Sequence, residues 1–244
     1  MRVNIALNGR MIGVAWCRIG NRYAYIYKIN IHTMDGATPR EALVALINKF
    51  RKYGDLWIRV AEDDPLKNIA EKMGFQKVGV SAVMVRPATP FPGKLSGLIF
   101  NRLTPGQGKD LARLYGKIFA DSFSRSLSRL YRPLTQEEAE ALLMDNHVKA
   151  YTVYSSRLAG LLVIGIYGVI GEIHFLGVLP EYRGNGLGKK ILMFCLNELN
   201  RAGVETVRLE VDLENLPAVM LYRTIDFKDI NRYVYYVFSR SNTM

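Results

Sequence analysis

Cysteine and histidine are scarce in this sequence. Its 244 residues include two cysteines, Cys17 and Cys195, each inside an apolar segment, and three histidines. His32 and His147 match no metal-ligand spacing, and two distant thiols in apolar segments are typical of a reducing compartment. We therefore expect no disulfide bond and no metal site.

Long hydrophobic runs are also missing. The most apolar run, residues 158–171, is shorter than the ~20 residues that a membrane-spanning helix needs, and it is rich in glycine. The first residues lack the apolar core and small-residue cleavage site of a signal peptide. These absences predict a soluble, cytoplasmic protein with no membrane partner.

Basic residues are in excess, but they form no block. The net charge is +11 at pH 7, and residues 1–94 carry 15 Lys and Arg against 7 Asp and Glu. A basic region can attract nucleic acid or an acidic protein surface. Because the basic residues alternate with apolar ones, a solvated surface is the simpler interpretation, and nucleic acid is not an expected partner.

Prolines divide the chain into two parts. Residues 85–97 contain three of the nine prolines and interrupt the hydrophobic periodicity. This pattern predicts a first domain at 1–88, a linker at 89–94 and a second domain at 95–244. The predicted fold class is α/β with a mixed sheet, in the order β-β-β-α-β-α-β for the first domain and β-α-α-β-β-β-α-β-α-β for the second. The first order repeats the later part of the second, which indicates an internal duplication with a shortened first copy.

Local signals predict where several elements begin and end. The Asn-Gly pair at 8–9 predicts a hairpin turn. Thr104 and Pro105 predict the start of a helix, with the threonine as N-cap and the proline in the first turn. Thr135, followed three residues later by Glu138, has the spacing of a capping box.

A glycine-rich turn connects a predicted strand to a predicted helix in the second domain. The segment HFLGVLPEYRGNGLGKKILMF (174–194) places three glycines and an arginine between the two elements. Such a turn points backbone N–H groups at one spot, and the helix N-terminus adds partial positive charge, which favours a phosphate group. Lys190 stands where a Walker A loop needs Ser or Thr, and Lys189 replaces the third glycine of the dinucleotide fingerprint. The pattern R/Q-x-x-G-x-G/A is met by Arg183, Gly186 and Gly188.

This pattern resembles the pyrophosphate-binding loop of the GNAT acetyltransferases. The family also carries N-x-x-A-x-x-L-Y-x-x-x-G-F after the next strand, and NLPAVMLYRTIDF (215–227) matches it except that Asp226 replaces the glycine. Aspartate tolerates the left-handed backbone that a helix end often needs. The resemblance covers 95–244 and implies the GNAT fold for this part of the chain.

The first copy departs from the family where the chemistry would lie. Its strand leads into the segment TMDGATPREAL (33–43), which has a single glycine, Gly36, and no arginine in the motif register. Asp63 takes the asparagine position and Ala70 the tyrosine position, while Gly74 and Phe75 match the Gly-Phe signature. We therefore expect a tandem protein whose first half is a degenerate GNAT domain that does not bind acetyl-CoA.

The resemblance implies how acetyl-CoA, the acyl donor, is held. The pantetheine arm is expected on the backbone of the strand and the pyrophosphate on N–H groups of the glycine turn, with an oxyanion donor near Val178. Asn215 is expected to touch the cofactor or cap its helix. Tyr222 is expected to face the cofactor as the acid that protonates the leaving thiolate. The expected cofactor-binding residues are Leu176, Gly177, Val178, Arg183, Gly184, Asn185, Gly186, Leu187, Gly188, Lys189, Asn215 and Tyr222.

Two residues are candidates for the base that deprotonates the amine. The resemblance places Glu172 where histone-type members of the family carry their catalytic glutamate. His174 lies two residues on, on the same face of the predicted strand, and could accept or relay the proton instead. A base matters most for a lysine amine, whose ordinary pKa is ~10.4. A purely structural role is the alternative for both side chains.

The predicted activity is acetyl-CoA-dependent N-acetyl transfer to a primary amine of a protein or a small molecule, by direct attack of the amine on the thioester. Residues 119–134 would line the acceptor side in this fold. Arg125, Arg129 and Arg132 favour an acceptor with a carboxylate or phosphate, unless the segment is only a solvated loop. The alternative function is a non-catalytic acyl-CoA-binding or interaction module. The acceptor and the oligomeric state stay open at this point.

Overall fold

The computed structural model describes residues 1–20, 23–31, 38–91, 97–120, 127, 130 and 133–239. Contacts within the chain divide it into two compact units. Unit 1 comprises Met1–Ser81 and the chain from Asn231 onwards, and unit 2 comprises Ala82–Ile230. The predicted linker, 89–94, falls within the span of unit 2. Across the described ranges, no helix is both long and apolar enough to cross a membrane.

Unit 1 packs one face of a mixed sheet on two helices. The strand order is β1-β2-β3-β4-β11, antiparallel except for the parallel pair β3–β4. Leu43 and Leu46 from the first helix are fully buried against Ile26 and Ile58 from the sheet. The elements are β1 (Arg2–Leu7), β2 (Arg10–Ile19), β3 (Tyr23–Ile31), α1 (Pro39–Lys49), β4 (Asp55–Ala61), α2 (Leu66–Lys72), β5 (Gln76–Pro87) and, from the end of the chain, β11 (Lys228–Phe238).

Unit 2 has helices on both faces of its sheet. The strand order is β5-β10-β9-β8-β7-β6, with β9–β10 parallel and the pairs from β6 to β9 antiparallel. One core lies under α5 and α6, and a second lies under α3 and α4. The further elements are β6 (Ile99–Leu103), α3 (Gly108–Phe119), α4 (Gln136–Met144), β7 (Val148–Ser155), β8 (Arg157–Tyr167), β9 (Ile170–Val178), α5 (Leu187–Arg201), β10 (Thr206–Asp212) and α6 (Leu216–Arg223).

The last strand of each copy contributes to the other unit. Strand β5 ends the first copy, and its residues from Ala82 belong to unit 2, where β5 is the neighbour of β10. Strand β11 ends the second copy, and its residues from Asn231 belong to unit 1, where Tyr235 pairs with Arg59 of β4. Each unit is therefore built from residues of both copies.

The predicted order of helices and strands is confirmed in both copies. The turn at 8–9 has positive φ at both residues, 51° and 80°, as a tight hairpin turn requires. Thr135 and Glu138 form the predicted capping box at the start of α4. Asp226 has φ 62°, the left-handed conformation predicted for the position where the family carries glycine.

The predicted start of α3 is wrong. The helix begins at Gly108 with Gln107 as N-cap, not at Thr104. The backbone N–H and the hydroxyl of Thr104 both donate to the Gln107 side chain. The N–H groups of Gly106 and Gly108 donate to the Glu140 carboxylate of α4, at 2.6 and 2.9 Å. A residue 32 positions away therefore closes this helix end, which a local sequence pattern cannot show.

Candidate active site

Strands β9 and β10 part within unit 2. Their parallel pairing runs from Ile170 and Thr206 to Ile173 and Leu209 and ends there. Strand β9 stays paired with β8 as far as Val178. Beyond Ile173, β9 therefore has an open edge on the side of β10, where backbone groups can pair with an extended ligand.

A β-bulge in β9 lies at the start of this open edge. In the pairing with β8, His174 is an extra residue between Ile173 and Phe175. The bulge shifts the alternation of side chains by one position. Ile173 packs in the core under α5, whereas the ring of Phe175 lies 4.4 Å from that of Tyr115 in α3.

The glycine turn and the N-terminus of α5 follow the open edge. A single 3₁₀ turn, Pro180–Tyr182, leads to Gly184 and Gly186, whose φ angles of 79° and 71° are left-handed. Helix α5 begins at Leu187, and no side chain caps it. Its first backbone N–H groups have no partner within the helix and none from a capping side chain. Such a helix end favours an anion.

A cavity of about 510 Å³ lies along the open edge and reaches the glycine turn. We call it the cofactor cavity. Ten of the twelve predicted cofactor-binding residues line it: Leu176, Gly177, Val178, Arg183, Gly184, Gly186, Leu187, Gly188, Lys189 and Asn215. Its wall also includes residues that the sequence did not assign to cofactor binding: Ile118, Phe119, Phe175, Tyr182, Pro217 and Leu221.

The cofactor cavity fits an acyl-CoA. Its wall combines apolar side chains with a strand edge that can pair with the amides of an extended arm, and one part of that wall is a helix end suited to phosphate. Gly188 lies in the first turn of α5, where a Cβ would come within 3.3 Å of Leu221. Glycine at 188 therefore lets α5 approach α6 closely.

Arg183 and Asn185 hold the turn together. The N–H of Arg183 donates to the Pro180 carbonyl at 3.1 Å, and its guanidinium Nε donates to the Val178 carbonyl at 3.0 Å. The 3₁₀ turn therefore already uses the N–H of Arg183. Asn185 lies off the cavity wall and its side chain donates to the Arg183 carbonyl at 3.4 Å.

Asn215 and Tyr222 belong to helix α6. Asn215 is the N-cap of the helix, its side chain accepting the Ala218 N–H at 3.3 Å, and it also lines the cavity. Tyr222 is 7% exposed and does not line the cavity; its ring packs edge-on against Phe227. Burial raises the pKa of Tyr222 well above 10, and the nearby Cys195 raises it further.

The candidate bases lie on the face of β9 opposite the α5 core. Glu172 is half-buried and pairs with Gly165 of β8. His174 is exposed, and its Nε2 lies 3.1 Å from the hydroxyl of Tyr167. Atoms packed around the His174 ring lower its pKa, while the charges of Glu172 and then Asp145 act in the opposite direction. The two candidates are therefore electrostatic neighbours.

The first copy repeats the strand geometry of the second. Strands β3 and β4 pair in parallel only as far as Ile26 and Ile58. Tyr27 is an extra residue in the pairing of β3 with β2. It occupies the position that His174 has in β9, one residue after the last parallel pair. The bulge and the parting of the strands are therefore present in both copies.

The first copy does not repeat the open helix end. Helix α1 begins with Pro39, which has no N–H, and Thr38 caps it. The Thr38 hydroxyl accepts the Glu41 N–H at 3.2 Å, and the Glu41 carboxylate accepts the Thr38 N–H at 2.8 Å. These hydrogen bonds lower the pKa of Glu41 and keep it charged. A side chain with negative charge thus occupies the place where a phosphate would bind.

Several residues singled out in the sequence lie outside the described ranges. They are His32, Gly36, Arg125, Arg129 and Arg132. Cys17 and Cys195 are both buried free thiols. Within the part of the chain that the structure describes, no three His, Cys, Asp or Glu side chains come together in a group that could hold a metal ion.

A model of the acetyltransferase (GNAT) family matches residues 109–227. This span includes α3, the open edge of β9, the glycine turn and α6. Residues 109–227 are therefore a domain of the GNAT acetyltransferase family.

The chain is similar to curated mycothiol acetyltransferases. It is 41% identical to the enzyme of Pseudarthrobacter chlorophenolicus over 63 residues, which are 26% of this chain and 20% of that protein. It is 37% identical to the enzyme of Saccharomonospora viridis over 101 residues, 41% of this chain and 31% of that protein. The chain thus spans a fifth to a third of the length of these two relatives.

Solved structures share the fold over nearly the whole chain. A GCN5-related N-acetyltransferase from Sphaerobacter thermophilus matches with a TM-score of 0.73 at 17% identity, over 98% of this chain and 80% of that one. A tandem GNAT protein from the clavulanic acid biosynthesis pathway matches with a TM-score of 0.67 at 16% identity, over 96% and 81%. The predicted α/β GNAT fold is confirmed, and a tandem GNAT protein shares it across both copies.

Proposed function

We propose that this protein is an acetyl-CoA-dependent N-acetyltransferase that acetylates a primary amine of a small molecule. The observation that carries the proposal is the continuity of one cavity with an open strand edge and an uncapped helix N-terminus. A CoA thioester needs these two features together, because its arm carries amides and its other end carries a pyrophosphate.

In this proposal the second copy holds acetyl-CoA, which supplies an acetyl thioester. Backbone groups of Leu176, Gly177 and Val178 pair with the arm. The N–H groups of Leu187, Gly188 and Lys189, at the start of α5, receive the pyrophosphate. Gly184 and Gly186 shape the turn, since both have the left-handed φ that glycine adopts most readily.

Glu172 is proposed to take the amine proton. It lies in the same strand as the open edge, on the face that His174 also occupies. His174, with its Nε2 against the Tyr167 hydroxyl, is the second candidate for holding that proton. Two candidate bases on one face of the strand that carries the open edge suit a reaction in which a neutral amine must be generated.

Tyr222 is proposed to donate a proton from its hydroxyl to the leaving thiolate. Its raised pKa keeps the hydroxyl protonated throughout the physiological range. The hydroxyl has no hydrogen-bond partner among the described residues, so its proton is not committed elsewhere. Asn215 supports the same wall by capping α6.

The small-molecule class of the acceptor rests on the curated relatives, which are named as mycothiol acetyltransferases. The decisive assay mixes the purified protein with acetyl-CoA and a panel of small amines and peptides, and follows both free CoA thiol and the mass of the acetylated product. Amine-dependent thiol release with an acetylated small amine supports the proposal. Acetylation of peptides alone would contradict the acceptor class.

A non-catalytic acyl-CoA-binding module is the competing function. It predicts that acetyl-CoA binds and that thiol release stays at the rate of slow hydrolysis with every amine. Glu172 and His174 lie on β9, the strand that supplies the open edge, and this favours the enzyme, because a binding module has no use for proton-transfer groups there.

A further inference from the structure

Unit 2 contains a second cavity, of about 630 Å³, between α3 and the end of the sheet formed by β6, β7 and the start of β8. We call it the α3 cavity. Tyr182 lines both this cavity and the cofactor cavity, and the two otherwise have different lining residues. Its volume lies within the range of small-molecule sites, about 300–1,000 Å³.

The inner wall of the α3 cavity is apolar. Leu103, Leu114 and Leu179 line it and are at most 7% exposed themselves. Thr152 is buried beside them, and its hydroxyl donates to the Asn101 carbonyl at 3.3 Å. The lone pairs of the hydroxyl stay available to a donor. This wall suits the apolar body of a ligand.

The charged residues of the rim leave an excess of positive charge. Two carboxylates, Asp110 and Glu181, each have a cation of α3 within 3.4 Å, namely Arg113 and Lys117. Arg157, at the start of β8, and Arg102, in β6, also line the cavity, and the side chain of neither has an ion pair or hydrogen bond within the described part of the chain. Among its described residues the rim therefore has unpaired cations and no unmatched carboxylate. Arg157 is the cation that adjoins Leu158, which lines the cavity and packs against the same core as Leu179.

We propose that the α3 cavity binds a small organic anion, with its apolar body against the leucines and its carboxylate or phosphate on the guanidinium of Arg157. Arginine presents a planar fork of N–H donors that matches either group. This site differs in place and in ligand from the proposed acetyl-CoA site. Binding at this site requires no catalytic activity of the protein, so the proposal is tested independently of the proposed function.

The test is calorimetric titration of the full chain with three probes that share a phenyl ring: benzoate, phenyl phosphate and neutral benzamide. Binding of either anion, with benzamide much weaker, is expected. Arg157→Gln should weaken the anion at least about tenfold, because a hydrogen bond to a charged group is lost. Arg208→Gln, an exposed arginine in β10 outside the cavity, is the matched control and should change nothing.

The outcomes separate this site from the glycine turn. Preference for benzoate or for phenyl phosphate assigns the ligand to carboxylates or phosphates, and both support the proposal. Binding lost in Gly186→Glu but kept in Arg157→Gln would place the anion at the turn and overturn it. Equal binding of benzamide, equal loss in Arg208→Gln, or no binding at millimolar concentration would also overturn it. Acetyl-CoA binding should be unchanged in Arg157→Gln.

Discussion

The hydroxyl of Tyr167 lies 3.1 Å from Nε2 of His174, across a glycine that leaves room for both rings. A Cβ on Gly165 would collide with the two side chains. The bulge that makes His174 an extra residue in β9 brings its ring over this glycine. The position of the histidine ring therefore depends on the bulge, on the glycine beneath it and on the tyrosine hydroxyl.

His174 gives the protein a pH-dependent stability with a definite sign. Its pKa is lowered in the folded state by the atoms packed around it, so the folded protein binds fewer protons there than the unfolded chain. The contribution is fully present above the ordinary pKa of about 6.5 and is lost as pH falls through the lowered value. His174→Asn, which does not titrate, should therefore reduce the fall in unfolding free energy between pH 7 and pH 5, as measured by urea denaturation. An identical pH dependence of the unfolding free energy in the variant would show that His174 does not cause this dependence.

Glu172→Gln tests the proposed base. Because the amine is most protonated at low pH, removal of the carboxylate should lower kcat/KM most at the acid end of the profile and least near the pKa of the amine. Glu205→Gln, an exposed carboxylate of the same unit, is the control and should leave the profile unchanged. A uniform loss at every pH would argue that Glu172 positions the substrate and does not take its proton.

Tyr222→Phe tests the proposed acid. Loss of the hydroxyl should lower kcat by about 10²-fold with little change in the Kd of acetyl-CoA, since general acid catalysis contributes on this order or more. Tyr151 is the control: it is buried in the same core, and its hydroxyl donates to Glu198 at 3.1 Å. Tyr151→Phe should cost about 1 kcal/mol of unfolding free energy and leave kcat unchanged. An unchanged kcat in Tyr222→Phe would remove the acid role.

One acetyl-CoA should bind per chain. The first copy keeps the parted strands but closes α1 with Pro39, Thr38 and Glu41, so it has no anion site at the helix end. Calorimetry should give a stoichiometry of one, and Thr38→Ala should lower the unfolding free energy by about 1 kcal/mol without adding a second site. A stoichiometry of two would contradict the prediction that the first copy does not bind acetyl-CoA.

Local sequence signals predicted the elements well because they depend on neighbouring residues. The Asn-Gly turn at 8–9, the capping box of Thr135 and Glu138, and the left-handed Asp226 all involve contacts within a few positions, and all three are present. The cap of α3 was missed because Glu140 reaches it from another helix. A helix cap supplied by a residue far along the chain cannot be recognised in a local sequence pattern.

The glycine turn, the end of β9 and Asn215 were predicted from the sequence, whereas other residues of the cavity wall were not. Phe175 turns toward α3 only because the bulge at His174 shifts the alternation, and strict alternation would have placed it on the other face. Ile118 and Phe119 join the wall through packing of α3. The membership of β5 in unit 2 and of β11 in unit 1 also depends on pairings between strands that are far apart in the chain.

Calorimetric titration with acetyl-CoA of the wild type, Gly186→Glu and Gly203→Glu is the most direct measurement. Both glycines have left-handed φ, 71° and 78°, with nothing within 4 Å of a Cβ, and they lie at opposite ends of α5. The two variants therefore carry the same added charge and a similar backbone strain of about 1–2 kcal/mol. Binding to the wild type and to Gly203→Glu, with none to Gly186→Glu, is the predicted result. Undiminished binding to Gly186→Glu, or no binding to the wild type, would contradict a cofactor site at the start of α5.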